Sequence, residues 1–215
     1  WAWNAMLAAV CGNTMIWKPS LATPLTAIAM TNVAQRVMRD QDIFQPSEGK
    51  AEDVFMLIIG TDEEVGETMI ADRRLPLISA TGSCRMGRHV GTQVAKRLGR
   101  SLLELGGNNA IIVTESADLD LVIRGTVFGA VGTAGQRCTS TRRLLCHSSV
   151  VDAVVDGMVK AYKTVPIGDP LDSSTLVGPL IDQRSVDAMR SAIESAVAQG
   201  CEVLYGAVQG IDCFA

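Results

Sequence analysis

Short apolar runs alternate along the chain with longer stretches in which apolar residues recur at helical spacing. The apolar runs predict strands at residues 14–17, 54–59, 75–80 and 100–104. The helical spacing predicts helices at residues 1–10, 23–39, 63–71 and 83–98. A polar loop follows the second of these helices. Strands that alternate with helices in this way predict a parallel sheet covered on both faces, which is an α/β fold.

The second half of the chain continues the alternation after a Gly-Gly-Asn-Asn stretch. Strands are predicted at residues 109–113, 141–147 and 202–205. Helices are predicted at residues 118–132, 150–163 and 182–199. The Gly-Gly-Asn-Asn stretch interrupts the alternation of strands and helices. We therefore place a domain boundary there and predict two domains, residues 1–105 and residues 106–215.

Composition narrows the class of protein. The chain has 215 residues, of which 47% are hydrophobic and 20% are charged, so it can bury a sizeable core and is not intrinsically disordered. The net charge is −4 and aromatic residues make up only 4%, which argues against nucleic acid or an anionic membrane as a partner. No apolar run approaches a membrane span. The six cysteines form no CxxC pair, which is typical of a reduced compartment, the cytoplasm or an organelle matrix.

Cys138 is the first candidate for chemistry. It lies in GTAGQRCTS, residues 132–140, where small residues precede it and Arg137 is its immediate neighbour. Such an approach exposes backbone N–H groups and admits a ligand, and both those groups and a nearby cation stabilise a thiolate. The alternative is a buried structural cysteine, and the cysteine alone does not separate the two.

Glu104 is the second candidate, in SLLELGGNNA at the end of a predicted strand. An acid between Leu103 and Leu105 in a buried strand is costly unless it is used or paired. Sites in open parallel sheets lie at the carboxyl ends of the strands, and a desolvated carboxylate there suits general-base work. The alternative is an edge carboxylate that faces solvent or caps the turn.

Two further segments suggest a bound anion. The turn Thr81, Gly82, Ser83 follows an apolar strand and precedes a helix, which is the geometry of an anion site, although Ser83 could be a helix cap only. Lys18 ends a predicted strand and is placed to reach a crevice, although it could be an ordinary surface lysine. The segment GTDEEVG, residues 60–66, is a weak phosphate loop because it has three acids and lacks the GxGxxG spacing. The two histidines show no metal-ligand or triad spacing.

Taken together, these segments resemble the aldehyde dehydrogenase superfamily. LELGGNNA around Glu104 resembles its glutamate signature, and GTAGQRCTS around Cys138, 34 residues downstream, resembles its cysteine signature. TGSCRMG, residues 81–87, is similar to its cofactor-helix turn, and Trp-Lys-Pro at residues 17–19 to its ribose-contacting segment. The pair Asn108-Asn109 with GQRCTSTRRL resembles the antiquitin-like branch, whose members oxidise α-aminoadipic semialdehyde in lysine catabolism.

The resemblance implies a Rossmann-like NAD(P)-binding domain followed by part of an α/β catalytic domain. It implies that Cys138 attacks an aldehyde, that a hydride passes to NAD or NADP, and that Glu104 activates the water that hydrolyses the thioester. Lys18, Thr81, Gly82 and Ser83 are the implied cofactor contacts. Arg137 is our candidate for binding the carboxylate of a semialdehyde. No metal is implied, and the full-length protein is expected to be a homo-oligomer.

The chain also departs from the family pattern. Leu21 stands where many members have a glutamate for the adenosine ribose, and Asp62 replaces a glycine that is common in the first phosphate-side turn. Because the chain opens on Trp1 inside a predicted helix, we expect an internal piece of a longer protein. The family's oxyanion asparagine would then lie upstream of Trp1, and Asn4 is not that residue.

Two rival functions remain open. The first is a binding or structural protein on the same fold that has lost the chemistry, against which the presence of both Cys138 and Glu104 argues. The second is a thiol hydrolase or acyltransferase that uses Cys138, which would need a histidine partner. A burst release of NADH would separate a dehydrogenase from the first, and dependence of turnover on NAD would separate it from the second.

Overall fold

The computed structural model describes residues 1–41 and 49–206. The chain divides into two compact units, Trp1–Leu105 and Gly106–Ala215, which we call the first and the second unit. All the strands of the described residues pair in parallel, as β1–β2, β3–β4 and β5–β6. The α/β class with parallel strands that the sequence predicts is confirmed. No helix among the described residues is both long and apolar enough to cross a membrane.

The first unit alternates helices and strands. Its helices are α1 (Ala2–Val10), α2 (Pro24–Asp40), α3 (Ala51–Val54), α4 (Glu67–Ala71) and α5 (Cys84–Lys96), and a π-helical turn (Asp62–Gly66) precedes α4. Its strands are β1 (Met15–Trp17), β2 (Phe55–Leu57), β3 (Leu77–Gly82) and β4 (Arg100–Leu105).

The core of the first unit lies between the β3–β4 pair and helix α5. Ile78 from β3 packs with Val90 and Val94 from α5, and Ile70 from α4 closes the cluster. Alternate residues of β3 point away from this core, so Leu77 is 51% exposed. The prediction of strands covered on both faces is therefore wrong for this pair within the described residues.

The second unit is built on strands β5 (Asn109–Val113) and β6 (Thr141–Cys146). Its helices are α6 (Leu119–Val131), α7 (Val151–Tyr162) and α8 (Gln183–Ala198), and a 3-10 turn (Gly132–Gly135) follows α6. Val113, Val154 and Met158 form the core between the strands and helices. Gly157 lets α7 approach α6, because a Cβ at this position would lie 2.2 Å from Cδ1 of Ile123.

Several local predictions differ from the structure. The strand expected at residues 202–205 is not formed, because this short segment is exposed and pairs with no described strand. The strand expected at residues 54–59 begins one residue later, after α3, whose first turn is closed by a 2.8 Å hydrogen bond from the Lys50 N–H to Asp53. The polar loop expected after α2 lies largely outside the described residues.

Candidate active site

Cys138 lies in an exposed turn that a left-handed stretch of backbone separates from helix α6. Thr133, Ala134 and Gly135 all have positive φ, at 55°, 52° and 71°. Left-handed conformations are costly for residues with a Cβ and cluster at functional sites, where the surrounding structure holds them. Cys138 is exposed, so the alternative of a buried structural cysteine does not fit this turn. Its role as nucleophile stays a prediction.

The side chains of Asn109 and Ser140 form hydrogen bonds to the backbone of the Cys138 turn. The Asn109 side-chain amide donates to the carbonyl oxygen of Cys138 at 2.7 Å and to that of Ser140 at 3.0 Å. The Ser140 hydroxyl, in a residue only 2% exposed, accepts from the Arg137 N–H at 3.0 Å. The register of β5 against β6, which pairs Asn109 with Thr141, brings these residues together. These three hydrogen bonds therefore fix the backbone of the turn at Arg137, Cys138 and Ser140.

Sequence reasoning missed both supporting residues. Asn109 was used only as part of a family motif, and Ser140 had no assigned role. The available signal is an amide that opens a predicted strand two residues after a glycine pair, since such a side chain sits at the amino end of its strand, beside the residues that lead into the neighbouring parallel strand. The residues that the Asn109 amide contacts depend on the register of β5 against β6, which the local sequence pattern does not reveal.

The Arg137 guanidinium is held by its own turn. Its Nε donates to the Thr133 hydroxyl at 2.8 Å, and its central carbon lies 5.6 Å from the centre of the Phe128 ring. A cation over an aromatic face is a favourable contact. Arg137 pairs with no acid among the described residues, so no ion-paired structural role is found for it there. Its role in binding a substrate carboxylate stays a prediction.

Glu104 lies on the open face of β4. Its neighbours Leu103 and Leu105 are half-buried against α5, and Leu105 fills the space beside Gly87. Because strand side chains alternate, Glu104 points to the other face and is exposed. The expected desolvation of this carboxyl is therefore wrong for the described structure. Glu104 belongs to the first unit and Cys138 to the second, so their convergence on one substrate stays a prediction.

The turn after β3 places three predicted cofactor contacts beside Glu104. Thr81 pairs directly with Glu104 across the parallel strands, Gly82 pairs with Leu105, and Ser83 follows as the N-cap of α5. The Ser83 hydroxyl accepts from the Met86 N–H at 3.1 Å, so the capping role that was its alternative is present. The first turn of α5 contains no acidic residue, and this helix end suits the pyrophosphate of a dinucleotide.

Lys18 is enclosed and paired. Its side chain is only 14% exposed, and its Nζ lies 2.7 Å from Oδ1 of Asp62. The same ammonium donates to the Pro19 carbonyl oxygen at 3.3 Å. The alternative of an ordinary surface lysine is therefore wrong.

Asp62 belongs to the GTDEEVG segment, whose three acids stand in the first helical turn. That turn does not suit a phosphate, as its sequence indicates.

Comparison with protein-family models gives one match, the aldehyde dehydrogenase family, over residues 1–212. The chain belongs to the aldehyde dehydrogenase family. Among the curated relatives, a Caenorhabditis elegans protein described as an aldehyde dehydrogenase family 7 member A1 homologue is 47% identical over 208 residues, covering 96% of this chain and 38% of the relative. The α-aminoadipic semialdehyde dehydrogenase of Bos taurus is 42% identical over 206 residues, covering 96% of this chain and 37% of the relative. This aldehyde dehydrogenase chain thus spans about two fifths of the length of these relatives.

Solved structures of aldehyde dehydrogenase fold are also similar to this chain. An NADP-dependent enzyme of E. coli matches with a TM-score of 0.82 and 32% identity, covering 91% of this chain and 38% of its own. Betaine aldehyde dehydrogenase of Staphylococcus aureus, in complex with NAD⁺, matches with a TM-score of 0.77 and 30% identity, covering 91% of this chain and 37% of its own. The structural relatives of this chain therefore include an NADP-dependent enzyme and an enzyme bound to NAD⁺.

Proposed function

We propose that the whole protein oxidises an aldehyde to a carboxylic acid with NAD(P), and that Cys138 is its nucleophile. The observation that carries the proposal is the turn around Cys138. Cys138 is exposed, while the Asn109 amide anchors the carbonyl oxygens of Cys138 itself and of Ser140. A nucleophile must be accessible and fixed in orientation at the same time, and this turn supplies both conditions.

Cys138 and its own backbone provide the first half of the chemistry. The thiolate sulfur attacks the aldehyde carbon, and the carbonyl oxygen becomes an oxyanion of a thiohemiacetal. The Cys138 N–H makes no hydrogen bond to a described residue, so it is available to donate to that oxyanion. Bound NAD(P) would accept the hydride and leave a thioester on Cys138.

Glu104 is assigned to the second half. A carboxylate exposed at the carboxyl end of β4 can accept a proton from a water molecule while that water attacks the thioester carbon. The acid product then leaves and the Cys138 sulfur is restored. The role of general base requires Glu104 and Cys138 to face one substrate in the full-length protein.

The cofactor residues support NAD(P) as the oxidant. The α5 N-terminus, with Thr81, Gly82 and Ser83 before it, offers backbone N–H groups and no repelling acid. Lys18 lies at the end of another parallel strand, β1, where sites of open α/β sheets form. A pyrophosphate at α5 and a ribose near Lys18 fit these residues.

An amino-acid semialdehyde such as α-aminoadipic semialdehyde is the substrate that we propose. The support is the 42% identity to a bovine relative of that name and the cation of Arg137 beside the nucleophile. The α-carboxylate of such a substrate is several bonds from its aldehyde, and a guanidinium can bind it in a bidentate manner. A homo-oligomer in the cytoplasm or an organelle matrix completes the proposal.

Pre-steady-state kinetics of the full-length protein test the mechanism. Glu104→Gln is expected to release about one equivalent of NADH per site in a burst and then to turn over roughly 100-fold more slowly, because only deacylation is impaired. Cys138→Ser is expected to give no burst. Cys11→Ser, which changes another exposed cysteine, is the matched control and should behave as the parent.

Other outcomes would support the rival functions. A parent protein that binds aldehyde and NAD but releases no NADH would be a catalytically silent member of the fold. Turnover that needs Cys138 but proceeds without NAD would indicate a thiol hydrolase or acyltransferase. Either result would overturn the proposed dehydrogenase activity.

A further inference from the structure

Lys18 and Asp62 meet at the carboxyl ends of two neighbouring parallel strands. β1 and β2 pair in register, Trp17 against Leu57, and the Ile58 N–H extends the pairing with a 3.0 Å hydrogen bond to the Trp17 carbonyl oxygen. Lys18 directly follows β1, and Asp62 opens the helical turn that follows β2. The ion pair therefore stands at the edge of the sheet where open α/β folds bind their ligands.

The two partners differ greatly in exposure. The Lys18 side chain is 14% exposed, whereas the Asp62 side chain is 84% exposed. The ammonium is occupied by Asp62 and by the Pro19 carbonyl oxygen. The outward surface of the pair is consequently the carboxylate, and the cation behind it is already neutralised.

We propose that the Lys18–Asp62 pair makes this protein select NAD and reject NADP, an inference that rests on the proposed function. The two coenzymes differ only at the ribose 2′ position, which is a hydroxyl in NAD and a phosphate in NADP. A carboxylate after the second strand accepts hydrogen bonds from ribose hydroxyls and repels a phosphate. With Asp62 in place, Lys18 is not free to bind the phosphate.

Family membership does not decide the coenzyme, because the structural relatives include an NADP-dependent enzyme and an NAD⁺ complex. Leu21, which stands where many family members have a glutamate for the adenosine ribose, carries no charge that could distinguish the two coenzymes. A ribose beside the pair would also explain why the GTDEEVG segment carries acids, because a carboxylate is unfavourable beside a phosphate but can accept hydrogen bonds from ribose hydroxyls. Selection by charge is thus located at Asp62.

The neighbouring acids provide a matched control. Glu64 accepts a 3.1 Å hydrogen bond from the Thr61 hydroxyl, which ties it to its own turn. Glu63 is exposed and forms no ion pair among the described residues. Glu63→Gln removes the same charge as Asp62→Asn, one residue away, and leaves Lys18 paired.

Fluorescence titration of the full-length protein with NADH and NADPH tests the proposal without catalysis. The parent and Glu63→Gln are expected to bind NADH about tenfold or more tightly than NADPH. Asp62→Asn is expected to shift this ratio toward NADPH by about 10- to 100-fold, because one charged interaction is exchanged for another. The gained NADPH affinity should weaken with salt and disappear in Asp62→Asn/Lys18→Ala.

A competition measurement on the parent protein tests the same preference without any substitution, so its result does not depend on whether a variant folds. ADP should displace bound NADH, whereas 2′,5′-ADP should displace it about tenfold less well or worse, since it carries the repelled phosphate. A parent that prefers NADPH, or an Asp62→Asn ratio equal to that of Glu63→Gln, would overturn the selection by Asp62 while leaving the dehydrogenase proposal intact. Failure of the parent to bind either coenzyme would overturn both.

Discussion

The Asn109 side chain donates hydrogen bonds to the carbonyl oxygens of both Cys138 and Ser140, at 2.7 and 3.0 Å. One amide thereby ties the start of strand β5 to the backbone of Cys138 and of Ser140. Because both donors of the amide are used, the position tolerates neither a carboxylate nor an apolar side chain without loss. Asn109 is a positioning residue that acts through the backbone of Cys138.

Replacement of Asn109 should loosen the Cys138 turn. Asn109→Leu leaves two carbonyl oxygens without their donors, and we expect a loss of about 1–3 kcal/mol in the free energy of unfolding. Asn109→Asp should be worse, because a carboxylate would face two carbonyl oxygens. Urea denaturation measures stability, and the rate of alkylation by iodoacetamide, with mass spectrometry of the Cys138 peptide, reports the turn itself.

The control for this prediction is the adjacent residue. The Asn108 side chain is exposed and bonds to no described residue, while its carbonyl oxygen accepts from Arg143. Asn108→Leu should therefore leave both the stability and the alkylation rate close to those of the parent. Equal effects of the two substitutions would show that the Asn109 contacts are unimportant.

Arg137 should determine the preference for an acidic substrate. Arg137→Met is expected to cost roughly 1.5–3 kcal/mol in kcat/KM on aminoadipic semialdehyde and little on a neutral aldehyde of similar length. Thr133→Val removes the hydrogen bond to the guanidinium but keeps the charge, so it should retain the preference. An equal loss on both substrates in Arg137→Met would instead assign Arg137 to the turn or the thiolate.

Ser83 should contribute both to helix α5 and to coenzyme binding. Ser83→Ala removes the cap on the Met86 N–H and is expected to cost about 1 kcal/mol of stability. Thr23 occupies the same position at α2 but its side chain caps nothing, so Thr23→Ala should cost clearly less. Thermal unfolding of the two variants gives the comparison.

A negative charge at Ser83 separates these two roles. Ser83→Glu exchanges the hydroxyl cap for a negative charge that the helix N-terminus favours, but it places this carboxylate where the pyrophosphate is expected. Its stability should stay near that of the parent, while NADH affinity falls. Unchanged NADH affinity in both Ser83→Glu and Lys18→Ala would contradict the placement of the coenzyme.

Asp72 should give the protein a measurable pH dependence in acid. Hydrogen bonds from the Arg74 side chain and N–H lower the pKa of Asp72 from 3.8 to about 2. Between these values the unfolded chain binds more protons than the folded one, so stability rises with pH. The stabilisation is complete above pH 3.8 and is lost as the pH falls through 2.

Urea midpoints measured between pH 1.5 and 5 test this assignment. Asp72→Asn keeps an acceptor for Arg74 but does not titrate, so its midpoint should fall less steeply over this range than that of the parent. Parallel curves for the two proteins would mean that the Asp72 carboxyl has the same pKa in the folded and unfolded states.

The sequence by itself determined the kind and order of the main elements. Six of the seven predicted strands form, as β1 to β6, and the helices between them begin near their predicted starts, where Ser83 and Asp118 cap α5 and α6. These features depend on neighbours within one or two turns of chain, and such interactions can be assessed from the local pattern. The family motifs around Glu104 and Cys138 are likewise continuous in sequence.

Only the tertiary structure decided which side chains meet. Asn109 reaches Cys138 across 29 residues, and Lys18 finds Asp62 at the end of the neighbouring strand. Alternation with Leu103 and Leu105 puts Glu104 on the opposite face of β4, and that face is exposed because α5 covers the side of the leucines. Strand register and helix placement set these contacts, and both depend on packing between segments that are distant in sequence. A local pattern predicts the face on which a residue lies, but it does not predict which residues that face contacts.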